Sequence, residues 1–208
     1  MKLNYYRRDW TLYLQDCPCD LHFVQYLESR QVSDKLIFHF GTGEHHLVGK
    51  TNYERGNPNE ILAVTLSRGE YDAYIDFVIA NPAAANYYKV FFADIYTLSS
   101  RMLPSFDIAT LFHLCEYYDD REYRDDEDYS EFEKSGEPHL NSAYARLDDA
   151  GVLELFLGKL NPGGKLLFFK GSSMWEWKPE KVVKAAISRG RLVVEDEYES
   201  LLICGLAS

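Results

Sequence analysis

The stretch KLIFHFGTGEHH, residues 35–46, constrains this chain most, because an apolar run breaks there into a Gly-x-Gly turn. A run apolar on both faces and bounded by glycines reads as a buried strand of a parallel sheet. The glycines let the backbone approach a ligand at the carboxyl edge of the sheet, which is where open α/β folds bind nucleotides. Two phosphate-gripping patterns are disfavoured at once. A dinucleotide fingerprint wants a third glycine three residues after Gly43, and His46 stands there, so a nicotinamide-dependent oxidoreductase is only a remote option. No Gly-Lys-Ser/Thr follows the turn either, which removes a P-loop.

Around this turn, helix and strand periods alternate, the pattern of βαβ units. A first helix is expected near Asp20, a fit N-cap, with Phe23, Val24 and Leu27 inward, before a strand over 36–40. The second strand is ILAVT, 61–65. A helix over 70–80 places Tyr71, Tyr74, Ile75 and Val78 at i, i+3, i+4 and i+7, and Asn81-Pro82 ends it. Strands over 89–93 and 106–112 are apolar on both faces, as central parallel strands should be. A helix over 148–160 carries Val152, Leu155 and Phe156 inward and is closed by Asn161-Pro162-Gly163-Gly164, with a fifth strand over 165–169. Pro179 suits the first turn of another helix ending near Arg189-Gly190, and 191–195 with 201–206 form a closing pair.

The length of 208 residues suits one domain spanning residues 1–208. Apolar residues at 46% and aromatics at 15% exclude a disordered chain and predict a globular core. A net charge of -11 argues against a nucleic-acid partner, which needs basic surface to neutralise phosphates. No run approaches the ~18 apolar residues of a membrane span, and residues 1–17 lack a signal-type apolar core, so a cytoplasmic location is expected. Cys17, Cys19, Cys115 and Cys204 are then expected as reduced thiols. Cys17-Pro-Cys19 is not Cys-x-x-Cys and no second ligand pair follows, so no metal is expected. The oligomeric state is not legible.

Read in order, four segments resemble the class I S-adenosylmethionine-dependent methyltransferases over roughly residues 20–208. FHFGTG, 38–43, resembles the glycine-rich first motif; ILAVTLS, 61–67, the second strand; and FFADIYTL, 91–98, the segment whose acid meets adenine. SFDIATLFHLCEY, 105–117, with LNPGGKLLFF, 160–169, resembles the fourth and fifth strands. The resemblance implies a Rossmann-like three-layer α/β sandwich, with a mostly parallel seven-stranded sheet and an antiparallel last strand. It implies S-adenosylmethionine as cofactor, met by His39, Gly41, Thr42, Gly43, Thr65, Leu66, Asp94, Ile95 and Phe112. Gly41 and Gly43 would pass close to its methionine and ribose portions, Asp94 would accept from the adenine amino group, and Ile95 would contact the ring. Two positions depart from the family. His39 stands where an acid usually precedes the first glycine by two, and Thr65 where an acid usually grips the ribose hydroxyls from the end of the second strand. Thr65 can make one hydrogen bond but not a bidentate grip.

Methyl transfer is an in-line displacement, so the protein must align the acceptor, exclude water and, for some acceptors, remove a proton. His113, His46 and His45 are the candidate bases, each with a plain structural alternative. Residues 116–137 hold eleven acids against three basic residues, within an insertion at about 116–146 that reads equally as a lid or as a flexible acidic loop. Trp175 and Trp177, after the fifth strand, suit either an acceptor wall or core packing. The leading expectation is a methyltransferase acting on a small-molecule acceptor. The alternative is a non-catalytic methyltransferase-like binding or assembly protein that has lost its cofactor-gripping acids.

Overall fold

The computed structural model describes residues 17–43, 45–56, 58–65, 67–112, 114–115, 147–171, 177 and 179–207. Its centre is a seven-stranded sheet in the order β3-β2-β1-β4-β5-β7-β6. The strands are β1 Leu36–Phe40, β2 Glu60–Thr65, β3 Tyr88–Phe92, β4 Phe106–Thr110, β5 Leu160–Phe169, β6 Leu192–Tyr198 and β7 Leu201–Leu206. β1 to β5 run parallel, while β7 lies antiparallel between β5 and β6.

Alternation along the pleat makes two cores. Ile37, Ile61, Ala63 and Ile108 point to one face, under the helices α1 Cys19–Ser29, α2 Leu47–Tyr53 and α3 Arg68–Ala80. Phe38, Phe40, Val64 and Ala109 point to the other, under α4 Asp149–Leu157 and α5 Glu180–Ser188. Three layers result. The direction in which successive strands are laid down reverses between β1 and β4, and a sheet of this kind opens its binding crevice at the carboxyl ends of such a pair.

Several expectations are corrected. Asp20 is not the N-cap of α1, where Pro18 stands; it lies in the first turn and turns its carboxylate toward histidines. β3 is the edge strand rather than a central one, so Phe91 and Phe92 are exposed on a segment whose sequence reads as buried. On α3 Tyr74 is buried and Tyr71 and Val78 pack half-buried against the same core, as expected, but Ile75 turns to solvent, and Glu70 and Phe77 join the inward side. Residues 161–164 do not close a helix: α4 stops at Leu157, and β5 takes up pairing at Leu160, loops through the glycines, and resumes at Lys165 opposite Ile108. Gly163 has φ 76°, and a Cβ on Gly164 would meet the Asp107 carbonyl oxygen at 2.8 Å, so the excursion needs both glycines. On α4 Leu153 is fully buried beside Val152 and Phe156, while Leu155 packs half-buried against the same core.

The helix after the glycine turn is short, as the turn formers at 51–59 dictate. Asn52 and Asn59 clasp that return: the Asn59 N–H donates to Asn52 Oδ1 (2.8 Å) and Asn52 Nδ2 donates to the Asn59 carbonyl (2.6 Å). Gly49 lets α2 sit against the fully buried Tyr88, since a Cβ there would lie 2.2 Å from the ring. Alanine would gain about 1 kcal/mol of helix propensity. Overpacking a ring that has nowhere to move costs about 1–3 kcal/mol, and at 2.2 Å the upper end applies. Gly49→Ala is therefore expected to lower stability by about 2 kcal/mol in urea unfolding; a gain would show that Tyr88 is free to move aside.

Candidate functional site

At the end of β1 the chain turns through Gly41 (φ 80°) and Gly43 (φ 56°), conformations that favour glycine. Gly43 is also required by its neighbour, because a Cβ there would lie 2.7 Å from His45 Nε2. Part of the reason for that glycine is thus internal. His45 Nδ1 accepts from the Leu47 N–H (3.0 Å), and its Nε2 lies 3.7 Å from Asp20 Oδ2. His39, fully buried, joins its Nδ1 to Thr110 Oγ1 (2.8 Å) across β1 and β4, and its Nε2 lies 3.5 Å from Asp20 Oδ1. One buried carboxylate is bracketed by two imidazoles, so an acid reaches position 39 from α1 instead of from β1. Cys19 Sγ lies 3.9 Å from the same carboxylate and 3.6 Å from Cys17 Sγ. Among the described residues, no group of three or more His, Cys, Asp or Glu is arranged to hold a metal ion.

A second carboxylate reaches the turn from α3. Thr42 Oγ1 (2.9 Å) and Thr65 Oγ1 (2.5 Å) both donate to Glu70 Oε2. The position left neutral by Thr65 is therefore supplied with an acid five residues further on. Glu70 was not among the candidates read from the sequence. Its signal was Ser67-x-x-Glu70, the spacing of a capping box.

His46 ties these elements together from a left-handed conformation (φ 49°). Its Nε2 is 2.7 Å from the Glu70 carbonyl, which can only accept, so Nε2 carries the proton. Nδ1 is then the acceptor of the Tyr88 hydroxyl at 2.7 Å. Burial lowers the pKa of this imidazole to about 4. With both nitrogens engaged and the ring buried, His46 is a structural residue and is withdrawn from the candidate bases.

Asp94 lies two residues beyond β3 and caps the 3-10 turn Ile95–Thr97, with Oδ1 accepting from the Tyr96 N–H at 2.8 Å. Burial raises its pKa, and the Tyr96 N–H opposes that rise. Its Oδ2 carries no hydrogen bond among the described residues. The Tyr96 hydroxyl in turn donates to Asp149 Oδ1 (2.6 Å) at the start of α4. Ile95 packs into the core beneath α4, and Phe112 sets its edge against Phe23 (5.9 Å between centroids) and His39 (6.2 Å) in the core beneath α1. Trp177 packs against the α4–α5 core, and its buried Nε1 has no hydrogen-bond partner among the described residues. Leu66, His113, Trp175 and the acidic insertion lie outside the described residues.

The structure thus brings Gly41, Thr42, Gly43, Thr65, His39 and His45 to one edge beside Asp20 and Glu70. The Ala93 N–H donates to the Thr65 carbonyl (3.0 Å), which sets Asp94 beside the end of β2. Two open depressions, of about 480 and 220 Å³, are lined by Gln31, Ser33 and Arg55 and by Glu60, Leu62 and Tyr87. Both lie at the amino ends of the strands, the edge opposite the glycine turn.

No protein-family description and no curated protein matches the chain in sequence. Solved structures do match in fold. The magnesium protoporphyrin IX methyltransferase from Synechocystis PCC 6803, solved with bound SAM, is 9% identical with a TM-score of 0.57, over 99% of this chain and 88% of that one. A precorrin-6y C5,15-methyltransferase from Geobacter metallireducens GS-15 is 13% identical with a TM-score of 0.52, over 89% and 85%. The cyclase SpnF is 15% identical with a TM-score of 0.54, over 85% of this chain; the chain spans 58% of that protein's length. The architecture is that of the class I S-adenosylmethionine-dependent methyltransferases, and at these identities the likeness is one of fold.

Proposed function

We propose that this chain, built on the class I methyltransferase fold, transfers a methyl group from S-adenosylmethionine to a small-molecule acceptor. The fold does not choose the chemistry, since one of its neighbours is a cyclase by name. What supports the reading is the convergence of Glu70 and Asp94 on the edge that carries the glycine turn. A nucleoside bearing hydroxyls and an amino group offers donors to such carboxylates, and its sulfonium cation suits an acidic edge. These residues fit the group: the turn at 41–43 would pass its methionine portion and Asp94 Oδ2 would accept from its adenine amine. Bound, it supplies an activated methyl on a sulfonium. The protein's share is alignment, exclusion of water and, for a hydroxyl or carbon acceptor, removal of a proton. Of the three described histidines at this edge His45 is the least buried, with a side-chain value of 12% against 1% for His39, but its Nδ1 accepts from the Leu47 N–H and its buried Nε2 faces Asp20, so none of the three presents a basic nitrogen to an acceptor.

Calorimetric titration with S-adenosylmethionine, S-adenosylhomocysteine and NAD tests this. Binding of the first two and not the third is expected. Asp94→Asn, which keeps an oxygen for the Tyr96 N–H but offers the adenine amine an NH₂ in place of an acceptor, should weaken that binding about tenfold, the equivalent of one hydrogen bond to a charged group. Absence of binding to all three would favour the non-catalytic alternative.

A further inference from the structure

Glu70 occupies the third helical position of a Ser67-x-x-Glu70 capping box, in which the glutamate ordinarily reaches back to the N-cap backbone N–H. Half of the box is present, since Ser67 Oγ accepts from the Glu70 N–H at 3.3 Å. The other half is diverted. The Ser67 N–H donates to Thr65 Oγ1 (3.0 Å), so the helix start does not need the carboxylate, which projects to the glycine turn. There Oε2 takes both threonine hydroxyls, while Oε1 accepts no hydrogen bond among the described residues. A carboxylate has about four acceptor sites, and a buried charge is costly unless they are filled. Glu70 is only 8% exposed, and two neutral hydroxyls on one oxygen leave half of that capacity unused.

We propose that Glu70 is a ligand-binding carboxylate for a vicinal hydroxyl pair, the ribose diol of the nucleoside bound at this edge. This rests on the cofactor reading above and adds to it a residue that comes from the first turn of a helix rather than from the end of β2. Because Oε2 is committed to the protein, Glu70 gives the sugar a single oxygen. Thr42 Oγ1, whose proton is already donated to Glu70, is left as an acceptor for the second hydroxyl. The grip is therefore shared between Glu70 and Thr42 instead of being bidentate on one carboxylate.

The test compares S-adenosylhomocysteine with its 2′,3′-dideoxy analogue by calorimetry, on the wild type, Glu70→Ala and Glu70→Gln, with melting curves recorded without ligand. Wild type is expected to prefer the diol at least tenfold, and Glu70→Ala to bind the two compounds alike. Glu70→Gln keeps an oxygen for the two threonine hydroxyls, so it preserves the turn should alanine unfold it, and its preference should fall below about threefold. A merely structural Glu70 would lower affinity for both compounds and leave their ratio intact, which would overturn the assignment while the cofactor reading stood. Wild type binding neither compound would overturn both.

Discussion

Asp149→Ala is expected to lower the stability of the protein by about 4 kcal/mol, because it orphans two inward-facing donors and removes a buried charge from a helix start. Asp149 Oδ1 accepts from the Tyr96 hydroxyl at 2.6 Å and from the Cys115 N–H at 3.0 Å. Tyr96 is fully buried. Burial first, and then the Asp149 carboxylate, push the phenol pKa far above its ordinary value, so the phenol is always the donor here. Each orphaned donor costs about 1–3 kcal/mol, so the two together cost about 2–6 kcal/mol. Alanine also removes an acid from the first turn of α4, where it is favoured by the exposed N–H groups. Asp149→Asn keeps a carbonyl oxygen at the same place and should recover most of the loss. Urea unfolding of the two variants measures the difference. A cost below about 1 kcal/mol for alanine would mean that solvent reaches both donors. The consequence for the site is direct, since Tyr96 is the residue whose N–H holds the Asp94 carboxylate, and both belong to one 3-10 turn.

The same contacts explain which parts of the molecule could be read beforehand. β1 and β2 were legible because Ile37, Phe38, Ile61 and Ala63 are apolar on both faces and really are buried on both. YKVFF is equally apolar, yet it forms the edge, and nothing local in it distinguishes the two fates. The turn at Gly41 and Gly43 was legible because a left-handed backbone has a local signature, whereas Asp94 was singled out only by the resemblance to a family. Asp20 and Glu70 were not legible, because each lies in a pattern with a sufficient local explanation, a helix start in both cases. Their carboxylates are turned toward β1 and β2 by partners 19 and 28 residues away in sequence, His39 and Thr42. The departures at 39 and 65 looked like losses because a strand shows only its own side chains. In the folded chain each is answered by an acid from the neighbouring helix.

Acid is expected to weaken the protein through His46. The imidazole titrates at about 4 in the fold and at 6.5 when exposed, so the folded state favours the neutral ring. The stability this confers is complete above pH 6.5, falls as the pH drops below it, and is gone near pH 4. The interval corresponds to about 3 kcal/mol. The neutral ring is the form the structure uses: Nε2–H donates to the Glu70 carbonyl while Nδ1 accepts from Tyr88. A second proton must sit on Nδ1, against a hydroxyl that is itself fully buried, and the charge has little water to face. His46→Asn removes the titration, and asparagine tolerates the left-handed backbone better than most residues. Burial lowers the His22 pKa too, so acid also acts there. For that reason the difference between the two proteins, followed by urea unfolding from pH 7 to pH 4, isolates His46. The wild type should lose about 3 kcal/mol more than the variant across that range. Parallel curves would mean that the imidazole is hydrated, and the link it makes between the glycine turn, Tyr88 and the start of α3 would then be looser than the structure shows.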